Sequence, residues 1–205
     1  MREITLPISD EKIRELKVGE PIRLSGVMVT GRDVVHKWLV ETFIEKTREP
    51  QGDDLEVFEA LKPIIEGSAI YHCGPVVAGL DTKEYEFKAA GPTTSIREEP
   101  YQGAVMGLFN AKFVIGKGGM GAKTLQACQD VPCIYLHAVG GAAALIAKTV
   151  VAVKDVYKLE EFGVPEAIWV IDVKDFPAVV TMDANGGSLH AEIDDKSKTA
   201  LEGIL

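Results

Sequence analysis

The sequence predicts an α/β fold with a mixed sheet, in a single domain over residues 1–205. Short apolar runs alternate with helical patterns through most of the chain, which is typical of strands joined by helices. Near the C-terminus, residues 167–173 and 178–183 alternate in polarity like a pair of antiparallel strands, and an Asn185-Gly186 turn signal follows them. A chain of 205 residues is long enough to bury a core of its own.

The first elements are predicted from apolar runs and capping residues. Glu3–Pro7 has the composition of a short strand. Ser9 or Asp10 suits the start of a helix that ends at Leu16. Pro21–Thr30 is predicted to be the next strand.

A second helix is predicted after Thr30-Gly31-Arg32-Asp33, which fits a capping box. Its apolar face follows helical spacing through Val35, Trp38, Leu39, Thr42 and Phe43. This spacing places Arg32 in the first turn, at the edge of the buried face. A shorter helix, Asp54–Leu61, is predicted after a break at residues 51–54.

The remaining elements alternate around glycine-containing turns. The predicted strands are Ala69–Val77, Tyr85–Ala89, Lys112–Ile115 and Cys133–Val139, and helical segments are predicted at residues 101–109, Gly119–Gln129 and Gly140–Lys148. Ser95-Ile96-Arg97-Glu98 fits a second capping box. Pro100 follows it, so the pattern does not fix where the helix at 101–109 begins.

Composition and charge exclude several classes of function. The chain has 22 Lys plus Arg against 31 Asp plus Glu, and this net charge of −9 argues against nucleic acid as a partner. Met1–Pro7 lacks the apolar run of a signal peptide. The apolar stretch Ala138–Val153 is too short to span a bilayer and contains Lys148. We therefore expect a cytoplasmic protein that binds neither nucleic acid nor a membrane.

Three cysteines, Cys73, Cys128 and Cys133, could in principle hold an iron–sulfur cluster. Their spacing argues against this, because Cys73 is remote and lies in an apolar run. An odd number also makes a disulfide framework improbable. We expect buried cysteines that pack as small apolar side chains. The four histidines are scattered without metal-ligand spacing, and only His36 could point towards the Arg32 turn.

The loop Gly116-Lys117-Gly118-Gly119-Met120-Gly121 matches the glycine pattern of dinucleotide-binding folds, between a predicted strand and a predicted helix. The acidic residue that such a site needs at the end of the next strand is missing, since that strand ends in Leu136-His137-Ala138. What remains is a helix N-terminus that favours an anion, with the charge of Lys117 beside it.

Two arginines and two threonines lie at similar turns. Arg32 and Arg97 each precede a predicted helix, and Arg97 follows Thr93 and Thr94 in the turn Gly91-Pro92-Thr93-Thr94-Ser95-Ile96-Arg97. Any one of these arginines could be ion-paired with its acidic neighbour, and the threonines could merely cap a helix. Together with Lys117 they favour a carboxylate site, because arginine grips a carboxylate through paired hydrogen bonds and strand-to-helix turns gather at one sheet edge.

These segments resemble the β region of the iron–sulfur-dependent hydro-lyases, the class I fumarases and L(+)-tartrate dehydratases. The resemblance lies in Gly31–Lys37, Gly91–Arg97, Ile115–Met120, Val139–Ala144, Glu166–Trp169 and Asp175–Ala178, and it covers most of the chain in family order. It implies a swivelling β/β/α domain. It also implies a separate β subunit, partnered with an α subunit in an α2β2 heterotetramer, whose [4Fe–4S] cluster is ligated by the α subunit.

The resemblance also implies roles for individual residues. Thr93 resembles the hydroxyl proposed as the catalytic base, with Lys117 and Arg97 as the other catalytic candidates. Arg32, Thr94, Arg97, Lys117 and Gly118 are expected to bind the dicarboxylate substrate. A threonine can act as a base only where neighbouring cations favour its ionised form. Glu98 follows Arg97 where many relatives carry Met-Asp, a departure that should change loop packing rather than the site.

The implied activity is the reversible hydration of fumarate to (S)-malate. Dehydration of L(+)-tartrate to oxaloacetate by the same residues is the alternative within the family. Two hypotheses from other classes stay open: a nucleotide-binding or regulatory module at Gly116–Gly121, and a domain with only an assembly role.

Overall fold

A computed structural model describes residues 1–204, which fold into a mixed α/β structure. The strands are β1 (Arg2–Thr5), β2 (Pro21–Thr30), β3 (Ala69–Tyr71), β4 (Val76–Ala78), β5 (Glu86–Ala89), β6 (Phe113–Gly116), β7 (Ile134–His137), β8 (Val150–Tyr157) and β9 (Ile168–Met182). The helices are α1 (Asp10–Glu15), α2 (Asp33–Leu39), α3 (Asp54–Ile65), α4 (Gln102–Phe109), α5 (Ala122–Asp130), α6 (Ala143–Ala147), α7 (Leu159–Phe162) and α8 (Leu189–Glu202). A π-helical turn, Val40–Ile44, extends α2, and a 3-10 turn spans Ser95–Glu98.

The main sheet closes on itself. Its seven strands run in the order β1-β2-β3-β6-β7-β9-β8, and β9 also pairs with β2. Strands β1, β2, β3, β6 and β7 are parallel to one another, whereas β9 is antiparallel to β2, β7 and β8. Because β9 joins both β2 and β7, five strands form a closed barrel, and β1 and β8 are added outside it. Strands β4 and β5 form a separate hairpin.

Alternation along the strands separates an interior core from two outer ones. In β3, Ala69 and Tyr71 belong to the interior cluster while Ile70 joins an outer cluster. The same division places Ile115 inside and Val114 outside in β6. Helices α2, α3 and α4 cover one outer cluster, and α4 and α5 contribute to the other. The interior of the barrel is therefore filled by side chains.

The mixed α/β class is confirmed, while the swivelling β/β/α arrangement stays a prediction. Most predicted elements are present with ends shifted by a few residues, and Pro21–Thr30 matches β2. The predicted strand Ala69–Val77 is wrong in part. It divides into β3 and β4, because the chain turns away after Cys73 through Gly74 and Pro75, and proline cannot donate to a sheet ladder.

Both capping-box predictions are wrong. Neither Thr30 nor Ser95 caps a helix, because neighbouring elements take their hydroxyls. Thr30 Oγ1 donates to the Ala167 carbonyl at 3.2 Å and accepts the Trp169 amide at 3.0 Å, which ties β2 to β9. Ser95 Oγ bonds to two buried side chains behind the turn.

The two predicted C-terminal strands do not pair with each other. They are parts of one strand, β9, which continues through a bulge where Asp175 has φ 56°. Strand β8, which pairs with the first half of β9, was not predicted, because it is half-buried on both faces and lacks a clear alternation. Helix α8 was not predicted either, since its apolar residues are few and exposed.

Two further predictions concern cysteines and membranes. Cys73, Cys128 and Cys133 are free and buried, as predicted. Within residues 1–204, no helix combines the length and the apolar character needed to cross a membrane.

Candidate active site

The segments singled out from the sequence meet at the carboxyl ends of three parallel strands. Thr30 of β2, Tyr71 of β3 and Ile115 of β6 lie side by side in register. The residues that follow these strand ends therefore share one end of the barrel, including Arg32 and Lys117. Parallel strands place their following loops together in this way, as the sequence-based argument expected.

The Thr93 turn is inserted between the ends of β3 and β6. The Thr93 amide donates to the His72 carbonyl at 2.7 Å, and the Lys117 amide donates to the Thr93 carbonyl at 3.2 Å. The Ser95 amide completes the ladder by donating to the Lys117 carbonyl at 3.1 Å. Thr94 and Lys117 form an isolated parallel β-bridge. This short ladder fixes the two threonines beside the lysine loop, although they are 23 residues or more apart in sequence.

Arg97 and Thr93 are in direct contact. Arg97 Nη2 donates to Thr93 Oγ1 at 3.2 Å. The same nitrogen lies 3.7 Å from Asp33 Oδ1, and that oxygen is 3.9 Å from Arg32 Nε. Asp33 thus lies between the two arginines, so both guanidinium groups are close together at the carboxyl ends of the strands. Sequence reasoning considered Asp33 only as a surface partner for Arg32.

Arg32 is held more tightly than Arg97. Its Nη1 lies 3.1 Å from Glu166 Oε1 and 3.5 Å from the Pro165 carbonyl oxygen. The guanidinium group also crosses Gly74, where a Cβ would overlap Nη1. The Arg32 side chain is one-fifth exposed, whereas that of Arg97 is about half exposed. The sequence placed Glu166 only in a family-like segment, and its contact with Arg32 was not predicted.

Lys117 and Gly118 complete the predicted set. Lys117 is partly exposed and, within residues 1–204, forms no ion pair. Gly118 is exposed with φ 78°, a left-handed conformation that favours glycine, and it lies beside the Thr94 methyl group. Lys117 is therefore a cation whose charge is not neutralised by a neighbouring carboxylate.

The helix N-terminus after the glycine loop is already filled. Glu99 accepts hydrogen bonds from the amides of Gly121, Lys123 and Thr124 and from the Thr124 hydroxyl, at 2.6–3.2 Å. A Cβ at position 121 would approach the Glu99 carboxylate to 2.5 Å, so glycine is required there. The predicted external anion at this helix is thus wrong, because the protein supplies its own carboxylate. The same contact removes the phosphate position that a dinucleotide fingerprint needs.

Three carboxyl groups lie around the arginines, and burial raises the pKa of two of them. Burial raises the pKa of Glu98 to about 7, with a contribution from Asp33, and Arg97 and Arg32 oppose the shift. Burial also raises the pKa of Glu166 against the effect of Arg32. Both oxygens of Glu98 are buried without a hydrogen-bond partner in residues 1–204. The prediction that Glu98 alters only loop packing is incomplete, since it also adds a titratable group behind the arginines.

Within residues 1–204, neither the thiols nor the acidic residues offer an open metal site. Burial raises the pKa of the Cys73 thiol to about 12 and that of Cys133 as well, which keeps them protonated. The carboxylates of Asp53, Asp54 and Glu161 converge away from the strand ends. Lys158 Nζ lies among all three, within 2.9 Å of each, and takes the place that a cation would occupy.

Two arginines and a lysine with hydroxyls beside them, at one end of an α/β barrel, form a candidate binding site for a small anion. Residues 1–193 match the family described as "Fumarase C-terminus", and the chain belongs to that family. This confirms the resemblance inferred from the sequence.

Named relatives fall into two groups. A Geobacillus stearothermophilus protein named "Putative fumarate hydratase class I" is 50% identical over 198 residues, which are 96% of this chain and 35% of the relative. The chain thus spans about a third of that protein. "Putative L(+)-tartrate dehydratase subunit beta" of Methanocaldococcus jannaschii is 35% identical over 97% of this chain and 95% of the relative. "L(+)-tartrate dehydratase subunit beta" of Escherichia coli is 36% identical over 92% of this chain and 86% of the relative.

Proposed function

We propose that this chain is the β-type part of a [4Fe–4S]-dependent hydro-lyase that hydrates fumarate to (S)-malate reversibly. One observation carries the proposal: Arg97 binds the Thr93 hydroxyl while Asp33 links Arg97 to Arg32. The two guanidinium groups and the hydroxyl lie together at the carboxyl ends of the strands. A dicarboxylate substrate needs cations to bind its two carboxylates and a base to remove a proton from carbon, and these groups supply both. The 50% identity to a protein named as a class I fumarate hydratase supports this choice of substrate.

The arginines suit the binding of two carboxylates. A guanidinium group can give a carboxylate two parallel hydrogen bonds, which fixes its orientation. Arg32 is already held by Glu166 and the Pro165 carbonyl, so little side-chain freedom is lost when substrate binds. Lys117 adds positive charge near the negative charge that develops on the substrate when its C3 proton is removed.

Thr93 is the candidate base for that proton. In the dehydration direction it removes the proton from C3 of malate, and in hydration it returns it. Since Arg97 donates to Thr93 Oγ1, the ionised hydroxyl gains a charge-assisted hydrogen bond. When bound in the complex, the cluster supplies a Lewis acid that assists the departure of the substrate hydroxyl.

We propose that the cluster is held outside this chain. The thiols of Cys73 and Cys133 are buried and protonated. Several polar atoms around Arg32 are buried without a hydrogen-bond partner in residues 1–204: Arg32 Nε, Asp33 Oδ1, Glu98 Oε1 and Oε2, and Glu166 Oε2. Such atoms are expected where a site is completed by substrate and by another chain. We therefore propose an α subunit as partner and ligand of the cluster, in an α2β2 assembly. The two relatives named as β subunits, which this chain matches over 86–95% of their length, support a separate subunit.

L(+)-tartrate dehydration to oxaloacetate is the second candidate. It is favoured by chain length, since the relatives matched over nearly their whole length are named for tartrate rather than fumarate. The two substrates differ by one hydroxyl group, so the same arginines would serve both.

The deciding experiment is reconstitution of this chain with an α-type partner under anaerobic conditions. The complex is assayed with fumarate, (S)-malate and L(+)-tartrate. We expect interconversion of fumarate and malate to be faster than tartrate dehydration, and the reverse order would establish the second candidate. Activity with none of them would reject both.

Hypotheses from other classes have separate tests. Titration calorimetry of the chain with NAD and ATP tests the nucleotide-binding module, and we expect no binding because Glu99 fills the helix N-terminus. An assembly role predicts that Thr93→Ala and Lys117→Ala leave the activity of the complex intact.

A further inference from the structure

Two buried histidines lie directly behind the Thr93 turn. His36, in α2, and His72, after β3, are fully buried, and their rings meet edge to face with centroids 5.1 Å apart. Neither has a role in the proposed reaction. Sequence reasoning noted the direction of His36 but gave no role to His72.

His72 makes a hydrogen bond with each of its polar groups. Its amide donates to the Ile115 carbonyl at 2.7 Å, and its carbonyl accepts the Thr93 amide at 2.7 Å. In the ring, Nδ1 lies 2.8 Å from Ser95 Oγ, and Nε2 lies 2.8 Å from Gln102 Oε1. One residue thus links β6, the Thr93 turn and helix α4.

The chemistry of these partners fixes the proton positions. The Gln102 carbonyl oxygen can only accept, so His72 Nε2 carries the proton and donates to it. Nδ1 is then an acceptor for the Ser95 hydroxyl. Ser95 Oγ in turn accepts the Tyr135 hydroxyl at 2.9 Å. The result is a directed chain of hydrogen bonds from the Tyr135 hydroxyl through Ser95 and His72 to Gln102 Oε1.

His36 connects this chain to the first arginine. Its Nδ1 lies 2.8 Å from the Arg32 carbonyl oxygen, which can only accept, so Nδ1 carries the proton. Burial lowers the pKa of His36, and burial together with the proximity of His36 lowers the pKa of His72. Both rings are therefore neutral at physiological pH.

The hydrogen-bonded chain from Tyr135 to Gln102 is closely packed against Gly116. A Cβ at Gly116 would overlap Ser95 Oγ and lie 3.1 Å from His72 Nδ1. Gly116 immediately precedes Lys117, so the residue before the lysine packs on the same hydroxyl that His72 binds. The turns that carry Arg32, Thr93 and Lys117 all rest on this one pair of imidazoles.

We propose that His72, with Ser95 and Gln102, is a positioning group that sets the Thr93 hydroxyl relative to Arg32 and Lys117. This inference rests on the proposed function, since it assigns the group to the same site. The group acts through fixed geometry and touches no substrate. A displacement of about 1 Å in a reacting group can cost roughly 100-fold in rate.

The test uses Ser95→Ala in the reconstituted complex, with Ser68→Ala as the matched control. Ser68 is also a buried serine, and its hydroxyl donates to the Val27 carbonyl away from the strand ends that carry the site. We expect Ser95→Ala to lower kcat about 10- to 100-fold with a smaller change in KM, because the carboxylate-binding charges remain. Ser68→Ala should leave kcat unchanged. Equal kcat values for the two variants would overturn the proposal.

Two milder or independent variants guard against a folding defect. Tyr135→Phe removes the hydroxyl that donates to Ser95, and we expect a smaller fall in kcat than for Ser95→Ala. Gly116→Ala keeps the Ser95 hydroxyl but displaces it from His72, and it should reproduce the kcat loss of Ser95→Ala. Wild-type kcat in every variant that forms the complex would reject the proposal.

A readout without activity separates this inference from the proposed function. Nitrogen-15 NMR of the full chain should show His36 as the Nδ1–H tautomer and His72 as the Nε2–H tautomer, with both rings neutral at about pH 7. Ser95→Ala should shift the Thr93 and Lys117 amide resonances, and Ser68→Ala should not. The opposite His72 tautomer, or unshifted amides, would overturn the positioning role even if the complex is active. An inactive wild-type complex with the expected spectra would reject the proposed reaction alone.

Discussion

Arg97 Nη2 donates a hydrogen bond to Thr93 Oγ1 across one 3-10 turn, at 3.2 Å. The hydroxyl and the cation that stabilises its ionised form thus lie within five consecutive residues, 93–97. Backbone bonds to His72 and Lys117 hold this turn against the strand ends, so the pair is set by the sheet rather than by a mobile loop.

Thr93→Ala should lower kcat of the reconstituted complex by about 100- to 10,000-fold, the range for loss of a general base. KM should change much less, because the arginines that bind carboxylates are retained. Thr93→Ser keeps the hydroxyl and should recover much of the activity. Exchange of the C3 proton of malate with deuterium checks the role directly. Exchange at the wild-type rate in Thr93→Ala would show that another group is the base.

Arg97→Lys should lower kcat/KM roughly 10- to 100-fold, because lysine retains the charge but cannot reach both Thr93 and Asp33 with a planar group. Steady-state kinetics of the complex with malate measure the change. Arg14→Lys, at an exposed position of α1, is the control and should behave as wild type. A variant of Arg97 with unchanged kcat/KM would show that point charge alone is needed there.

Glu98→Gln should stabilise the chain, and increasingly so as pH rises. Below pH 4.5, the ordinary pKa of the group, its carboxyl is protonated in both states and contributes no difference. Between 4.5 and its folded pKa of about 7, the unfolded chain ionises while the folded chain keeps the proton, so wild-type stability falls. Above about 7 the loss is constant.

Urea unfolding of the wild-type chain and of Glu98→Gln at several pH values measures the difference between their free energies of unfolding. We expect a gain of about 3 kcal/mol above pH 7 and almost none near pH 4. Glu49→Gln, at an exposed loop position, should show no such dependence. A gain of equal size at all pH values would point to packing rather than ionisation.

Glu99→Ala should destabilise the chain by about 1–2 kcal/mol, the usual cost of losing a helix N-cap. The amides of Gly121, Lys123 and Thr124 lose their acceptor in this variant. Denaturant unfolding measures the change, with Glu49→Ala as the exposed control. Amide hydrogen exchange should also increase at the start of α5 and remain unchanged in α3. Unchanged exchange at Gly121 would contradict the capping role.

The sequence predicted the elements that depend on local pattern. Strand β2 and the positions of Arg32, Thr93 and Lys117 at strand-to-helix turns follow from periodicity, and parallel pairing then brings those turns together. The family resemblance predicted a relation to the hydro-lyases, and the match of residues 1–193 confirms it. The catalytic roles remain predictions.

Contacts between distant segments could not be predicted. Thr30 and Ser95 fit capping boxes by pattern, yet each hydroxyl bonds to a residue brought near only by the closed barrel. The anion position before α5 is filled by Glu99, 22 residues upstream of Gly121. Local spacing specifies what a side chain can do, and tertiary contacts decide which partner it has.

Glu99 belongs to the segment that carries Thr93, and it closes the helix that follows Lys117. The turn that carries Thr93 and the loop that carries Lys117 are therefore fixed relative to each other. A ligand would meet them as one rigid surface, and its binding would not need to bring them together. Positions 99 and 121 are coupled sterically, because a side chain at 121 would displace the Glu99 carboxylate from the start of α5.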